Sequence, residues 1–510
     1  MRSMTPQRVV VVGAGFGGLS AAAHLHAAGY AVTVVEKAPW VGGKAARLEQ
    51  GGYTFDTGPT LLTMPDVVDE AFRAAGSSLS AHVALTRLEP VARYLFANGG
   101  ELVVSGDHEK TKAQIARFSS RDAAAWDGFI AECKEIWEIA GEPYLEAPFD
   151  GALGYTQRAL RRGPRALRMG LALGTLDDLA RRWFESAEMR MFVGRFATYA
   201  GGDPARSTGA FGMIPYLEIE RGAFYPAGGM HRLAQALADV LERAGVRFVL
   251  GQGVREVLLD ESGRAMGVAT DRERHLADVV VVNADPLTAA ERLFPRSRGA
   301  AAFANGLAKR EPSLSGFVLG LGIEGPVPDV AHHTVLFPRD YADEFDAIFH
   351  RGEIGSDPTI YVSAPPGDRR ALFCMVNAPA LDERFDGVGE ATVRRVRDHI
   401  VAELDRRFQP GISARIRAEV VLTASDIART GSARGAIYGA APHGATSTFE
   451  RPKHRADFAP GVYFVGGATH PGGGVPMVIR GGRFVADTIV SDHRTMASTG
   501  GISAVRRWFR

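Results

Sequence analysis

The chain has 510 residues, 46% hydrophobic and 23% charged, with 59 Lys and Arg against 58 Asp and Glu for a formal net charge of +1. These proportions exclude a disordered or coiled-coil protein, and the charge balance argues against a nucleic-acid partner. Two cysteines, Cys133 and Cys374, cannot build a disulfide framework or a four-cysteine zinc site, so no metal is expected and a reducing compartment is. No run reaches the roughly 18 consecutive apolar residues of a membrane span. The N-terminal apolar run Val9–Val12 is broken at once by glycine, which excludes a signal peptide.

In chain order, Arg8–Val12 reads as a short buried strand, and Gly13-Ala14-Gly15-Phe16-Gly17-Gly18 follows it directly. Leu19–Ala28 reads as a helix closed by Gly29, and Ala31–Val35 as a second strand ending at Glu36. This is a βαβ unit with a G-x-G-x-x-G turn and an acid following the second strand. Gly13 permits the tight turn, Gly15 lets a pyrophosphate approach the backbone, and Gly18 lets the helix pack on the strand. The helix N-terminus offers unpaired N–H groups and partial positive charge to phosphates. Glu36 can accept hydrogen bonds from adenosine ribose hydroxyls and would repel a 2′-phosphate. Gly13, Gly15, Phe16, Gly17, Gly18, Glu36 and Lys37 are therefore expected at a dinucleotide site.

Gly42-Gly43-Lys44 comes next, then Tyr53-Thr-Phe-Asp-Thr-Gly-Pro59. Here the chain resembles the flavin-dependent amine oxidase and carotenoid desaturase superfamily. The resemblance implies FAD as cofactor, with Gly43 and Lys44 near the phosphates. Residues 115–214 read as mostly helical. From Arg158 to Arg182 seven arginines (158, 161, 162, 165, 168, 181 and 182) face two acids, Asp177 and Asp178. Leu160, Leu167 and Leu171 fall on one helical face, Met169, Leu173 and Leu176 on an adjoining one. A basic amphipathic helix of this kind can lie in an anionic membrane interface, or pack its leucines on a core. The basic, aromatic tail Ser503–Arg510 reads as a frayed end or a second interfacial contact.

Phe224-Tyr-Pro-Ala-Gly-Gly-Met230 precedes a helix at His231–Ala244 and strands at Val246–Leu250, Val254–Leu259 and Asp278–Ala284. By the resemblance this is the second cofactor segment, with the Val254 backbone meeting the adenine. Gly461–Met477 pairs a strand, Val462–Val465, with a Gly-rich loop, and a helix follows at Arg480–Ile489. Thr469, His470, Pro471, Gly472, Gly474 and Pro476 match the C-terminal flavin motif of carotenoid desaturases. The resemblance places Gly467 by the ribitol-phosphate and the 470–477 stretch, with Val475, Pro476 and Met477, along the isoalloxazine, and it counts Thr469 among the cofactor-binding residues.

The expected fold is α/β: a Rossmann-like FAD-binding domain (1–75, 215–290, 455–495), an interleaved substrate domain with a mixed sheet (76–114, 291–454) and a helical, membrane-facing subdomain (115–214). Phe317–Ile323 and Ile360–Ser363 are candidate strands of the mixed sheet. The implied partners are a hydrophobic polyene and a membrane surface, with peripheral attachment on the cytoplasmic side of the cell membrane; the oligomeric state is left open. A polyene offers no heteroatom to deprotonate, so alignment of an allylic C–H with the flavin carries most of the catalysis. A proton must also leave the neighbouring carbon. Asp56, Asp203 and His470 are the candidates for that role, although both aspartates sit in turns where Asp commonly caps backbone N–H groups.

Phe55–Pro65, Gly194–Gly202 and His470–Met477 look like the bacterial 1-hydroxycarotenoid (methoxyneurosporene) 3,4-desaturases, whereas phytoene desaturases tend to carry Ile-Pro-Gly where this chain has Val475-Pro-Met477. A phytoene desaturase is the alternative. A flavin amine oxidase, which usually carries aromatic residues in its C-terminal motif, and a carotenoid isomerase are the further ones.

Overall fold

The computed structural model describes residues 7–164, 174–327, 330–366, 369–387, 389–444 and 446–507. Its first sheet has five parallel strands in the order Val462–Phe464, Val279–Val282, Arg8–Val12, Ala31–Val35, Arg247–Val249. Three distant stretches of chain thus share one sheet. Its central strands are nearly all valine because both faces are covered. Val9, Val11, Val279 and Val281 point to one face, where Leu19, Leu25, Leu233, Leu237, Ile479 and Val485 bury them. Val10, Val280 and Val282 point to the other, against Val257, Val268, Leu287 and Phe464. Alternation along a strand sends neighbouring valines to opposite layers.

The helices on the first face are Phe16–Ala27, Gly229–Ala244 and Val475–Arg507. The first and last cross closely: Ser20 Oγ donates to the Ile479 carbonyl at 2.6 Å. A Cβ on Gly482 would lie 2.6 Å from the Ala21 nitrogen, so the crossing requires glycine there. The opposite face carries the antiparallel meander Val254–Leu259, Ala265–Thr270, Arg274–Leu276.

A second, mixed sheet has seven strands in the order Ile416–Leu422, Ser315–Ile323, Ala371–Ala378, Ile360–Ser363, His333–Leu336, Ala92–Leu95, Glu101–Val104. All neighbours are antiparallel except His333–Leu336 with Ala92–Leu95. Phe317, Leu319, Leu321 and Ile323 face a core closed by the helix Glu390–Glu403. The even positions Gly320 and Gly322 face the hairpin Arg47–Gln50/Tyr53–Asp56: a Cβ on either would lie 2.9 Å or 2.6 Å from the ring of Phe55 or Tyr53. Glycine on that face lets the hairpin lie flat on the sheet.

The stretch expected to be helical contains Ser120–Ile136, Ala152–Leu160, Leu176–Trp183 and Ala187–Gly194, around an aromatic core of Trp126, Phe129, Phe184, Phe192 and Phe196. The arginine-rich segment is not one continuous helix. Gly163 has φ 75°, and Thr175, with an extended backbone, caps a new helix through a reciprocal bond with Asp178. Leu160 and Leu176 therefore belong to different helices. Arg158 turns inward and pairs with Asp150, while Arg162, Arg181 and Arg182 pair with Glu142, Asp177 and Glu132. Arg165, Leu167, Arg168, Met169, Leu171 and Leu173 lie outside the described residues, as do the side chains of the tail Ser503–Arg510. Among the described residues no helix is long and apolar enough to cross a membrane.

Candidate active site

The order of the parallel sheet reverses between Arg8–Val12 and Val279–Val282, and the crevice beyond the carboxyl ends of such strands is where ligands bind. Gly13 follows the first of these strands and Asn283 the second. Gly13 has φ 98° and donates its N–H to the Val35 carbonyl at 2.8 Å. A Cβ on Gly18 would lie 2.1 Å from the Gly13 carbonyl oxygen, a distance no side chain tolerates. Asn283 Nδ2 donates to that same carbonyl at 3.3 Å. A Cβ on Gly15 or Gly17 would come within 3.0 Å or 2.9 Å of the Asn283 amide. The glycines are thus required by a buttress from another segment as well as by the turn itself.

Gly15 is the N-cap of the first helix and carries no capping side chain. The first N–H groups of that helix have no intrahelical acceptor and are open to an anion. Glu36 is buried, and its two carboxylate oxygens accept from Ala14 N at 2.7 Å and Ala38 N at 2.9 Å. Each of the two oxygens keeps a lone pair that can accept a further hydrogen bond. Gln252 N donates to the Glu36 carbonyl and Gly253 lies against Lys37, so the chain leading into Val254 runs along the Glu36 end of the crevice. The exposed Lys37 donates to the Arg429 carbonyl. A glycine cradle with open N–H groups at one end and a carboxylate able to accept from hydroxyls at the other fits a dinucleotide.

Gly42 donates to the Ala14 carbonyl at 2.8 Å, and a Cβ on Gly43 would lie 3.2 Å from Gly15 Cα. This contact brings Lys44 to the crevice, where its ammonium donates to the Ile437 carbonyl at 2.7 Å. Solvent reaches Lys44, yet the surrounding protein wall lowers its pKa to about 8, with Asp285 opposing the shift. Asp285 itself caps the helix Pro286–Leu293, and burial raises its carboxyl.

The C-terminal loop arrives at the same place. A Cβ on Gly17 would lie 3.3 Å from Val465 Cγ2 and 3.5 Å from the Val478 carbonyl, so the first and last helices direct their N-termini at one crevice. Gly467 lies near the Ile437 carbonyl that Lys44 also contacts. Arg451 holds this loop, donating at 2.9 Å to the carbonyls of Tyr438 and Gly467. Thr469 is buried and turns its hydroxyl back onto the Gly466 carbonyl at 2.8 Å. Phe16, Val475 and Pro476 are buried and Met477 is half-buried.

The three candidate proton acceptors have no partner in common. His470 is 2% exposed in an aromatic box, its ring 4.5 Å from Tyr144, 5.6 Å from Phe484 and 5.7 Å from Phe149 between centroids. Burial, then neighbouring His454, lowers it to about 3, so the ring is neutral. Asp203 accepts from Ala205 N at 2.8 Å in a turn whose Asp203 N–H bonds His443; burial raises its carboxyl. Asp56 accepts at one oxygen from Tyr225 Oη at 2.9 Å and Met230 N at 3.2 Å, and burial raises it too.

Beyond Asp56, Thr60 and Tyr361 share a 2.6 Å hydroxyl contact, Tyr361 bonds His333, and His332 reaches the Thr60 carbonyl at 2.8 Å. Deeper still, Arg195 donates to Tyr94 and Tyr199, Tyr199 donates to Glu218 at 2.7 Å, and Arg195 lies 3.7 Å from Glu218. Asn283, Arg451, Asp285 and Tyr225 were absent from the sequence-derived site. Only Asn283 left a signal, as the polar residue that ends a run of four valines.

A profile of flavin containing amine oxidoreductases matches residues 16–490. A phytoene dehydrogenase of Streptomyces griseus is 34% identical, with 97% of this chain and 98% of that protein covered. A hydroxyneurosporene desaturase of Rhodobacter capsulatus is 33% identical over 98% of this chain and all of that protein. Among solved structures, a putrescine oxidase shares the fold with a TM-score of 0.63 at 18% identity, covering 96% of this chain and 99% of that one.

Proposed function

This chain belongs to the flavin containing amine oxidoreductase family, where it groups with the carotenoid desaturases and takes FAD as its cofactor, and we propose that it introduces C=C bonds into an acyclic carotenoid. The observation that carries this reading is the convergence of the Gly13–Gly18 cradle, Lys44 and the Gly467–Met477 loop on one crevice, in a chain similar over its full length to carotenoid desaturases. FAD, when bound, supplies the two-electron acceptor for dehydrogenation. The protein's part is to hold it, through Gly13, Gly15, Gly17, Gly18, Glu36, Gly43, Lys44, Val254 and Gly467, and to hold an allylic C–H of the polyene in line while excluding water. The proton that leaves the adjacent carbon passes to Asp56, Asp203 or a bound water; the neutral, enclosed His470 shapes the aromatic wall.

Within that class the preferred substrate is a 1-hydroxylated polyene desaturated at C3–C4. The Val475-Pro-Met477 ending and the similarity to a hydroxyneurosporene desaturase support it. Phytoene is the alternative, supported by a similarity of the same size to a phytoene dehydrogenase. Peripheral attachment to a membrane is part of the proposal: Leu153 and Leu160 are 72% and 56% exposed on one short helix that ends at Arg161 and Arg162. The test is incubation of the FAD-loaded protein with liposomes carrying phytoene or 1-hydroxyneurosporene, read by absorbance and mass of the extracted pigment. A red-shifted product lighter by one H2, from the hydroxylated polyene alone, is expected. Stepwise conversion of phytoene would assign the alternative, and no redox product from either would overturn the desaturase reading.

A further inference from the structure

The loop between the last strand of the parallel sheet and the last helix is held by donors from other segments. Arg451 Nη1 donates to the Gly467 carbonyl at 2.9 Å, and Tyr144 Oη to the Pro471 carbonyl at 3.0 Å. A planar trans peptide points its C=O and its N–H in opposite directions. The Ala468 N–H shares a peptide with the Gly467 carbonyl, so it points away from Arg451, and it has no acceptor among the described residues. Arg451 reaches the other half of the loop as well. A Cβ on Gly472 would lie 3.3 Å from its Cζ and Nε and 3.6 Å from its Nη2. One guanidinium thus binds the Gly467 peptide and lies against Gly472, in the two stretches that the family pattern assigns to the ribitol-phosphate and to the isoalloxazine.

The charge of Arg451 is not balanced locally. Arg158, Arg195 and Arg455 each pair with a carboxylate, at 2.8 Å, 3.7 Å and 2.7 Å. Among the described residues Arg451 pairs with none, and both bonds of its Nη1 go to neutral carbonyls, those of Gly467 and Tyr438. Burial disfavours its charge, against Tyr144 and Asp285, yet a guanidinium stays protonated in proteins. Asp285 is also the carboxyl that faces Lys44. One carboxyl, itself raised by burial, is set against two cations, so the crevice carries surplus positive charge. A cation taken out of water without a paired anion is costly, and its counter-charge is to be sought in what the crevice binds. FAD is anionic at its phosphates in both redox states, and its ring becomes richer in electrons on reduction. A polyene C–H with no neighbouring heteroatom calls for a strongly oxidising flavin, and charge near the ring is one of the means by which a protein tunes it.

We propose that Arg451 is a positioning residue for the flavin: fixed on the Gly467 and Gly472 backbone, it places an uncompensated positive charge beside the ring, which favours the reduced flavin and raises its reduction potential. The proposal rests on the FAD site described above and adds to it a residue that lies outside every glycine motif.

The test is the reduction potential of the bound flavin. It is measured on the FAD-loaded protein without substrate, by equilibration with a dye of known potential, and read from the flavin absorbance. Arg451→Gln keeps an NH2 donor for the carbonyls and removes the charge; Arg451→Lys keeps the charge and gives up the planar fork. In Arg451→Gln the preference for reduced over oxidised FAD should fall at least about tenfold, which for a two-electron couple is about 30 mV. The potential of Arg451→Lys should stay closer to wild type than to Arg451→Gln. An unchanged potential in Arg451→Gln overturns the proposal. Equal falls in both variants overturn it too, because they would trace to a loosened loop and not to charge. Titration of Arg451→Gln apoprotein with oxidised and with reduced FAD gives a second route that tolerates weak binding. Reduced FAD should lose more affinity, and equal losses would confine Arg451 to the phosphates and overturn the proposal. A wild-type protein that holds no FAD would overturn the cofactor reading itself; a bound flavin indifferent to the charge at Arg451 overturns only this assignment.

Discussion

Replacing Glu36 by Gln should weaken the fold before any cofactor is added. Glu36 is 7% exposed, and each carboxylate oxygen receives one backbone N–H, from Ala14 at 2.7 Å and Ala38 at 2.9 Å. Hydrogen bonds to a charged acceptor contribute about 1.5–3 kcal/mol each, and a buried donor left without an acceptor costs about 1–3 kcal/mol. Gln keeps one of the two bonds in weaker, neutral form and points an NH2 group at the other N–H. Unfolding of the apoprotein should therefore lose about 2–4 kcal/mol, read from the urea midpoint and slope of both proteins. Flavin fluorescence titration should show a further loss of FAD affinity, because the variant also presents a donor where a ribose hydroxyl needs an acceptor. A residue that served only as a ribose ligand would leave the apoprotein unchanged. Apoprotein stability within about 0.5 kcal/mol of wild type, with FAD affinity reduced, would refute the brace and leave only the ligand role.

Three further outcomes are expected. Lys44 is lowered to about 8 in the free protein, from its ordinary 10.5, because the protein wall around this solvent-reached ammonium disfavours its charge. Its cost to the fold is present below pH 8 and relieved as pH climbs towards 10.5, while an anion is held best by the charged form. FAD affinity should thus be flat below pH 8 and fall above it, and Lys44→Met should abolish that dependence; a parallel fall in the variant would exclude Lys44 from the phosphates. His332, His454 and His470 are buried, and burial lowers them to about 4, 4 and 3. The unfolded chain then takes up protons below pH 6.5 that the folded one refuses, so stability should fall between pH 6.5 and 4 by up to roughly 4 kcal/mol per unit if all three contribute; urea midpoints unchanged down to pH 5 would refute it. Arg195→Met should strand the buried Glu218 and cost about 3–5 kcal/mol, whereas the double variant Arg195→Met/Glu218→Gln should recover part of that, as a thermal melt would read.

The βαβ unit was legible residue by residue. Arg8–Val12 and Ala31–Val35 are strands at the expected bounds, and the first helix starts at Phe16, three residues earlier than expected, because Gly15 already caps it. Val254–Leu259 and Ile360–Ser363 were also read to the residue. These features depend on interactions within a few residues: glycine at positive φ, alternating or continuous apolar runs, and an acid at a strand end. The arginine-rich segment misled for the converse reason. Periodicity alone ran Leu160 and Leu176 onto adjoining faces of one helix, but Gly163 and the Thr175–Asp178 cap break the helix, and Asp150 draws Arg158 inward.

By itself the sequence determined the chemistry of the cradle, since only glycine can stand at Gly13 or Gly18 and only an acid at Glu36 leaves both N–H groups satisfied. Tertiary structure alone decided what surrounds it. Asn283 buttresses the Gly13 loop from 270 residues away, Ser20 joins the first helix to Ile479, and Arg451 ties Tyr438 to Gly467. The aromatic box of His470 is built from Tyr144, Phe149 and Phe484, and the hairpin that carries Asp56 meets the mixed sheet because Gly320 and Gly322 leave room. Such contacts are selected by shape and by pairing of buried polar groups across distant segments, and neither leaves a spacing in the chain that could announce it.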